Sequence, residues 1–318
     1  MRKIETVAVV GAGYMGGGIA QSLAIAGADV RLADVDAEAT RASYARLLAE
    51  GEQFERQGLF PEGSTELLRE HLHAAGSIEE AVDGVDFVEE AVPELPKIKH
   101  EVLARAEAGA RPDTIIGTNT STIPVHVLAT ALTDPTRFLT VHFSNPAPFI
   151  PGVEIVAGEH TDPEVVEVVE ALLARVGRRS ARVADRPGFV LNRLQFVLLK
   201  EAMTIVEEGV ATATDIDTIV STTFGFRLPF FGPFAIADMA GLDTYVNSFA
   251  TLEAEFGERL SPPQVLLDLV AAGKHGTKTG SGFLELEPDQ REALIAYRNR
   301  AYHLMARLLD ELGPSPLA

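Results

Sequence analysis

An apolar run leads into three spaced glycines in Val7-Ala8-Val9-Val10-Gly11-Ala12-Gly13-Tyr14-Met15-Gly16. The apolar residues predict a buried strand, and the residues that follow, through Ala26, have the pattern of a helix. Between a strand and a helix, this glycine spacing is typical of a dinucleotide-binding turn. Gly11 permits the tight turn, Gly13 lets the backbone approach a pyrophosphate, and Gly16 lets the helix pack closely on the strand. The first helical turn would supply N–H donors and partial positive charge for the phosphates.

Asp34 closes the next predicted strand, at residues 30–34, and lies 18 residues beyond Gly16. A carboxylate at this place can accept hydrogen bonds from a ribose 2′-hydroxyl group and would repel a 2′-phosphate, so NAD is favoured over NADP. FAD is the main competing dinucleotide, but it usually comes with further flavin-contacting segments, which we do not find in the sequence. A purely structural glycine turn is the other alternative. The order of strand, turn, helix, strand and acid favours a nucleotide site.

Short apolar strands alternate with amphipathic helical segments in the first part of the chain, which is the pattern of a parallel α/β sheet. Further strands are predicted at residues 87–88, 114–117, 138–141 and 152–156, with a helical pair over 37–75 that breaks near 58–63. Beyond Asp185-Arg186-Pro187-Gly188 helical periodicity dominates, at residues 189–210, 215–222 and 289–312. We predict an N-terminal Rossmann domain with a doubly wound sheet over residues 1–185, followed by an all-α domain over residues 186–318.

The composition is that of an ordinary globular protein, with 46% hydrophobic and 23% charged residues. At 318 residues the chain exceeds the size at which one hydrophobic core usually stops growing, which agrees with two domains. The formal net charge is −19 and no Lys/Arg cluster is present, which argues against nucleic acid as a partner. No apolar run approaches the roughly 18–20 residues of a membrane span, so no membrane association and a cytoplasmic location are expected.

Metal and thiol chemistry are not expected either. The sequence has no cysteine, which excludes disulfides, thiolate metal sites and cysteine nucleophiles. Its eight histidines lack metal-ligand spacing with carboxylates, and the His71-x-His73 pair on a predicted exposed helix is interpreted as incidental.

His142 and Glu154 are a candidate acid–base pair. His142 lies where a predicted strand ends, and Glu154 follows on the strand predicted next. Imidazole is the side chain best matched to taking a proton from an alcohol near neutral pH. A carboxylate on its other nitrogen would fix the tautomer and stabilise the imidazolium. Spacing alone leaves open that His142 is a hydrogen-bonded core histidine and Glu154 a surface residue.

Several further segments match one family pattern in order along nearly the whole chain. They are Gly11-Ala12-Gly13-Tyr14-Met15-Gly16, Thr118-Asn119-Thr120-Ser121, His142-Phe143-Ser144-Asn145-Pro146, Val153-Glu154, Pro187-Gly188-Phe189-Val190-Leu191-Asn192-Arg193, Glu207-Glu208-Gly209-Val210, Gly232-Pro233-Phe234, Gly241-Leu242-Asp243-Thr244 and Lys278-Thr279-Gly280-Ser281-Gly282-Phe283. Together they resemble the short-chain L-3-hydroxyacyl-CoA dehydrogenase family, which includes the 3-hydroxybutyryl-CoA dehydrogenases. Their joint occurrence is far more specific than any one of them.

The resemblance implies an NAD-dependent oxidoreductase that acts on the 3-hydroxy or 3-keto carbon of an acyl thioester, with a place in fatty acid metabolism. His142 would be the general base in oxidation and the general acid in reduction, with Glu154 as its partner. Ser121 and Asn192 would hydrogen-bond the substrate oxygen, although a strand end and a helix start would explain them too. The implied cofactor-binding residues are Gly11, Gly13, Tyr14, Met15, Gly16, Asp34, Glu94, Lys99 and Asn119. Lys99 could instead be a solvated helix charge.

The sequence departs from the acyl-CoA pattern in three places, one of them the loop Arg227-Leu228-Pro229-Phe230-Phe231-Gly232, and these departures leave the substrate open. Where typical members carry Met-Lys-Leu, this chain has Ile150-Pro151-Gly152, which is closer to the Ile-Pro-Leu of relatives resembling lambda-crystallin and L-gulonate dehydrogenase. The helical pair at 37–75 corresponds to the region where relatives hold the CoA nucleotide. It contains Arg41, Arg46, Arg56 and Arg69 but no Lys and is rich in Glu. The arginines could face the phosphates of CoA or a phosphopantetheine arm, but pairing with neighbouring Glu residues is the expectation.

Three kinds of substrate therefore remain: a hydroxyacyl-CoA, a hydroxyacyl group on a carrier protein, and a free L-hydroxy acid. An alternative of another class is a non-catalytic NAD-binding structural protein, for which the polar set around His142 would have no use. The all-α domain is expected to form a homodimer, as in the family, with the Phe-rich residues 224–234 at the interface or along the substrate cleft. Within this domain, Thr214 is expected to cap the helix that follows it.

Overall fold

The structure of the protein, a computed structural model, describes residues 2–287 and 289–316. Over these residues, eight strands form one sheet in the order β3-β2-β1-β4-β5-β6-β7-β8. The strands are β1 (Thr6–Val10), β2 (Asp29–Ala33), β3 (Leu72–Ala74), β4 (Phe87–Glu90), β5 (Ile115–Thr118), β6 (Phe138–Phe143), β7 (Gly152–Ala157) and β8 (Arg179–Ala184). The chain divides into two compact units, Met1–Leu198 and Leu199–Ala318, and the sheet belongs to the first.

Most of the sheet is parallel, as predicted, but β7 and β8 run opposite to the other six strands. From β3 to β6 in the order of the sheet, each strand pairs parallel with the next. The following strand, β7, runs antiparallel to β6. Only residues 144–151 connect β6 to β7, and a parallel crossover needs a dozen residues or more. The short connection therefore reverses the strand, and β8 then pairs parallel with β7.

Seven α-helices lie among the described residues of the first unit, and an eighth begins there. They are α1 (Tyr14–Ile25), α2 (Ala37–Arg56), α3 (Ser64–His71), α4 (Ile78–Val82), α5 (Pro96–Gly109), α6 (Val125–Leu128), α7 (Pro163–Arg175) and α8 (Leu191–Glu207). The predicted helical pair is confirmed as α2 and α3, and its break ends at Gly63, whose φ is +86°. The last residues of the predicted pair form β3 instead, because they pair with β2.

Helices cover both faces of the sheet, which confirms the Rossmann fold. Side chains of Val7 and Val9 join a core with α1 and α7, whereas Ala8 and Val10 join a second core on the opposite face. This alternation follows from the two-residue period of a strand. Strands that are buried on both faces consist of nearly continuous apolar residues, which explains the apolar run of residues 7–10 before the glycines.

The second unit is helical, as predicted. After α8 it contains α9 (Ala213–Thr222), α10 (Phe224–Arg227), α11 (Pro233–Ala240), α12 (Leu242–Phe256), α13 (Gln264–Ala271) and α14 (Gln290–Leu312). The cap of α9 is Thr212 and not Thr214, because Asp215 completes a capping box with Thr212. Among the described helices, none has the length and apolar character of a membrane span.

Part of the Phe-rich segment packs within this unit. The rings of Phe226, Phe230 and Phe231 lie 5.7–6.2 Å from the ring of Tyr302, between centroids. Phe234 contacts Phe283 at 4.6 Å but stays exposed.

Candidate active site

The glycine turn is shaped for close backbone approach. Gly11 has a φ of +100°, and a Cβ atom there would lie 2.7 Å from the backbone of Ala91. A Cβ atom on Gly16 would overlap the carbonyl oxygen of Gly11. A Cβ atom on Gly13 would meet no atom within 4 Å, so this glycine faces open space at the start of α1. The turn therefore leaves room for a pyrophosphate beside the first helical N–H groups.

Asp34 lies next to this turn. Its Oδ2 accepts a hydrogen bond from the N–H of Ala12 at 3.0 Å, and its Oδ1 accepts one from the N–H of Val35 at 2.7 Å. The carboxylate is thereby fixed at the end of β2, where a ribose diol would come. Tyr14 is largely exposed and Met15 is half-buried in the first turn of α1. These residues fit a dinucleotide.

Arg46 also touches the turn, which the sequence analysis did not anticipate. Its Nη2 donates to the carbonyl oxygen of Ala12 at 2.9 Å, and its Nη1 pairs with Glu50 at 2.9 Å. Arg69 pairs with Glu52. For these two arginines of the α2–α3 pair, the expected ion pairs with neighbouring acids are present.

His142 and Glu154 face each other across β6 and β7. They are directly opposite in the antiparallel register, and His142 Nδ1 lies 2.8 Å from Glu154 Oε2. The exposed fractions are 5% for His142 and 8% for Glu154, so Glu154 is not the surface residue that spacing alone allowed. The reversal of β7 is what brings the pair together.

Glu154 is held as a carboxylate. Its Oε1 accepts hydrogen bonds from the N–H groups of Val190 and Leu191, both at 2.9 Å. Burial by itself raises the pKa of Glu154, but the hydrogen bond with His142 and the two N–H groups outweigh it, so that this pKa lies below its ordinary value. Because an ionised carboxylate only accepts, Nδ1 of His142 carries the proton in this contact. Nε2 is then the nitrogen left for proton exchange.

Ser121, Asn192 and Glu94 meet at the loop that follows β5. Glu94 Oε1 accepts hydrogen bonds from the N–H groups of Ser121 at 2.8 Å and Thr122 at 3.0 Å, and from Thr120 Oγ1 at 2.7 Å. Asn192 Nδ2 donates to the backbone oxygen of Ser121 at 2.7 Å. Asn192 follows Leu191 in α8, so the start of this helix contacts both the Ser121 loop and Glu154.

Lys99 is buried, so the alternative of a solvated helix charge is wrong. Its Nζ donates to Glu90 Oε1 at 2.8 Å and to the backbone oxygen of Val92 at 3.2 Å, and lies 3.4 Å from Glu94 Oε2. Burial raises the pKa of Glu94, but Thr120, Lys99 and the Ser121 loop together bring this pKa below its ordinary value. Lys99 thus links α5 to Glu90 at the end of β4 and to Glu94 in the loop before α5.

Sequence reasoning missed Glu90. Its side chain is fully buried, and its Oε2 accepts a hydrogen bond from Thr118 Oγ1 at 2.6 Å in addition to the contact with Lys99. A signal was present, because an acid at the end of a buried strand needs a partner and Lys99 lies nine residues farther along.

Asn119 is placed between β5 and β6. Its Oδ1 accepts a hydrogen bond from the N–H of Phe143 at 2.8 Å, one residue beyond His142. Over residues 2–287 and 289–316, no three His, Asp or Glu side chains are grouped so that they could hold a metal ion.

Two family models match the chain one after the other. The model described as 3-hydroxyacyl-CoA dehydrogenase, NAD binding domain, matches residues 6–186. The model described as 3-hydroxyacyl-CoA dehydrogenase, C-terminal domain, matches residues 188–286. The two matches together span most of the 318 residues.

Known proteins similar to this chain are named as dehydrogenases. A 5-formyl-3-hydroxy-2-methylpyridine 4-carboxylate 5-dehydrogenase of Mesorhizobium japonicum is 35% identical over 96% of this chain and 99% of its own length. A probable 3-hydroxybutyryl-CoA dehydrogenase of Bacillus subtilis is 35% identical over 90% of this chain and 98% of its own. The crystal structure of a 3-hydroxyacyl-CoA dehydrogenase from Archaeoglobus fulgidus has a TM-score of 0.79 at 31% identity, covering 95% of this chain and 99% of that one.

Proposed function

This chain belongs to the 3-hydroxyacyl-CoA dehydrogenase family and is an NAD-dependent oxidoreductase, and on that basis we propose that it transfers a hydride between NAD and the 3-hydroxy or 3-keto carbon of an acyl thioester. The observation that carries the proposal is the buried contact of 2.8 Å between His142 Nδ1 and Glu154 Oε2. It leaves one imidazole nitrogen for a substrate proton. Because the family assignment makes this chain an oxidoreductase, the alternative of a non-catalytic NAD-binding protein no longer applies.

In this reaction NAD supplies the hydride chemistry, whereas side chains of this protein accept and donate the proton. During oxidation, His142 Nε2 takes the proton of the substrate hydroxyl group, and during reduction it returns that proton to the carbonyl oxygen. Glu154 stabilises the imidazolium that forms and holds the ring in one tautomer. Assistance of this kind is worth about 10²- to 10⁴-fold in rate.

Ser121 and Asn192 are proposed to hydrogen-bond the substrate oxygen. In support, the Ser121 backbone is anchored by Glu94 on one side and by Asn192 on the other. A loop anchored in this way can hold the substrate in a near-attack position. For the cofactor we propose contacts with the glycine turn, Asp34 and the other predicted positions, which are Tyr14, Met15, Glu94, Lys99 and Asn119.

The proposal is tested by following NADH absorbance with acetoacetyl-CoA as substrate. We expect His142→Gln to lower kcat by about 10²- to 10⁴-fold while the Kd for NAD stays within about twofold. A matched control is His160→Gln, which removes an exposed imidazole and should leave kcat unchanged. An unchanged kcat in His142→Gln would remove this residue from the mechanism.

A second candidate substrate is a free carboxylic acid without a thioester. It is favoured by the relative from Mesorhizobium japonicum, whose name specifies a pyridine carboxylate and which aligns with 96% of this chain. The acidic character of the α2–α3 pair, where Arg46 and Arg69 are paired with Glu50 and Glu52, agrees with this candidate. NADH oxidation with free keto acids and with formyl-substituted aromatic acids, but not with acetoacetyl-CoA, would select it. Turnover of acetoacetyl-CoA alone would exclude it.

We further propose that two copies of the chain assemble through α8. No residue of α8 is buried, and exposed apolar side chains occur along it: Leu191, Leu194, Phe196, Val197, Leu198, Leu199, Met203 and Val206. An apolar patch of this extent is typical of a surface that another protein covers. Light scattering on the eluted protein should give the mass of a dimer, and Val197→Glu should lower that mass. We also propose a cytoplasmic location for the protein and a role in fatty acid metabolism.

A further inference from the structure

Phe189 has an unusual backbone conformation. Among the non-glycine residues that the structure describes, it alone has a positive φ, at +48°. A bulky side chain rarely adopts this left-handed conformation, and such residues cluster at functional sites, where the surrounding structure enforces them. Phe189 is also 1% exposed, so its position is set by the core rather than by solvent.

The turn at Phe189 directs two donors at Glu154. Gly188, with φ of +73°, and Phe189 follow each other in left-handed conformations, and only Val190 separates them from α8. The N–H groups of the next two residues, Val190 and Leu191, both point to Glu154 Oε1 at 2.9 Å. Successive backbone N–H groups at such a turn form a concave site that binds an anion, here the carboxylate of Glu154.

The turn is anchored on the other side as well. Asp185 precedes it and accepts hydrogen bonds from the N–H groups of Val125 at 2.8 Å and His126 at 3.0 Å. The backbone between Asp185 and α8 is therefore tied at both ends, which is what a strained conformation needs in order to persist.

The ring of Phe189 contacts the imidazole of the same pair. Its centroid lies 5.8 Å from that of His142, with the planes tilted by 56°. Elsewhere the ring packs in a buried cluster that contains Leu103, Ile116, Val125, Leu128, Phe138 and Val156. The ring thus joins this cluster to the imidazole that Glu154 binds.

We propose that Phe189 is a positioning residue for the His142–Glu154 pair: its left-handed backbone aims two N–H groups at Glu154, while its ring packs against the imidazole. This inference rests on the proposed function of His142 and Glu154. Phe189 acts through the orientation of His142 and Glu154, in addition to its packing in the core. A purely structural role would instead affect stability alone.

The variant Phe189→Leu separates the two roles when it is compared with Phe138→Leu. Phe138 is fully buried in the same cluster, so both variants lose a similar apolar volume, but no ring contact between Phe138 and His142 is found among the described residues. Histidine side chains labelled with ¹⁵N report the tautomer of His142, whose signals are identified by their absence from the spectrum of His142→Gln. If Phe189→Leu fails to fold, Phe189→Met is the milder replacement.

We expect Phe189→Leu to increase the fraction of His142 with the proton on Nε2, while Phe138→Leu leaves this fraction unchanged. Identical histidine spectra in the two variants would overturn the proposal. With acetoacetyl-CoA and NADH, Phe189→Leu should lower kcat by about 10-fold in the parent protein and by less than about twofold when Glu154→Gln is already present. Equal losses in both backgrounds would also contradict it. If Glu154→Gln and His142→Gln leave kcat unchanged, the proposed function fails, whereas the spectra still decide the positioning role.

Discussion

Replacing Glu89 by leucine is expected to stabilise the first unit. Glu89 lies on β4, is fully buried, and neither of its carboxyl oxygens has a hydrogen-bond partner among the described residues. Its carboxyl group occupies space left by Gly117, where a Cβ atom would lie 2.5 Å from Glu89 Oε2. Burial raises the pKa of Glu89 well above its ordinary value, nearby Glu90 adds to the effect, and Lys99 opposes it less strongly.

The magnitude follows from proton linkage. In the unfolded chain a Glu carboxyl has a pKa of about 4.3, and giving it a proton at pH 7 costs about 3.7 kcal/mol, at about 1.36 kcal/mol per pH unit. This is the ceiling on the linkage cost. An unpaired buried polar group adds about 1–3 kcal/mol at any pH. We therefore expect Glu89→Leu to raise the free energy of unfolding by about 2–4 kcal/mol at pH 7.

The effect has a definite pH dependence. Because the pKa of Glu89 is higher in the folded than in the unfolded protein, the parent protein is most stable, relative to Glu89→Leu, below the unfolded pKa. That stability is lost as pH rises through the folded pKa. The difference between Glu89→Leu and the parent should therefore grow from pH 5 to pH 8. Glu89→Gln, which cannot ionise, should show the same growth but keep the cost of an unpaired polar group.

Urea unfolding at pH 5 and pH 8 measures these differences, with Glu159→Gln as a control at an exposed position. If the difference between Glu89→Leu and the parent were the same at both pH values, the inferred neutral carboxyl would be wrong. If Glu89→Leu were the less stable protein at both, Glu89 would have a partner that outweighs its burial.

Three further perturbations test other parts of the structure. Lys99→Met leaves Glu90 buried without its cation and should cost about 3–5 kcal/mol of stability; urea unfolding should show little change for the exposed control Lys97→Met. Asp34→Ala should raise the Kd for NAD by about 10-fold or more, since a hydrogen bond to a charged group is worth about 1.5–3 kcal/mol; an unchanged Kd from calorimetry would count against the ribose contact. Burial raises the pKa of Asp86, but backbone N–H groups and Arg111 outweigh it and hold this pKa below the ordinary value. The ionised Asp86 therefore stabilises the folded protein above about pH 3.9, and this stabilisation is lost as pH falls. Asp86→Asn should thus flatten the acid unfolding curve, and a curve that keeps the parent's steepness would exclude this role.

The buried pairs around Lys99 show where sequence reasoning stops. The residues next to Lys99 in the sequence do not show whether its side chain is buried or solvated, because a helix carries apolar residues beside lysines of both kinds. The partner Glu90 lies on a strand, and only the packing of α5 against β4 brings the two side chains to 2.8 Å. Phe189 is a similar case, since its ring contacts His142 and packs in a cluster whose other members lie far away in the sequence.

By itself the sequence determined the glycine turn, the acid that follows it and the two-part division into sheet and helices. These features depend on residues close together in the chain, where the strand and helix periods and the spacing of glycines decide the local geometry. Only the tertiary structure decided that β7 runs antiparallel, that Glu154 lies opposite His142, and that Glu154 receives two N–H groups from the start of α8. Those contacts join positions 12 to 37 residues apart, and their geometry is set by how strands and helices pack rather than by any pattern that neighbouring residues can carry.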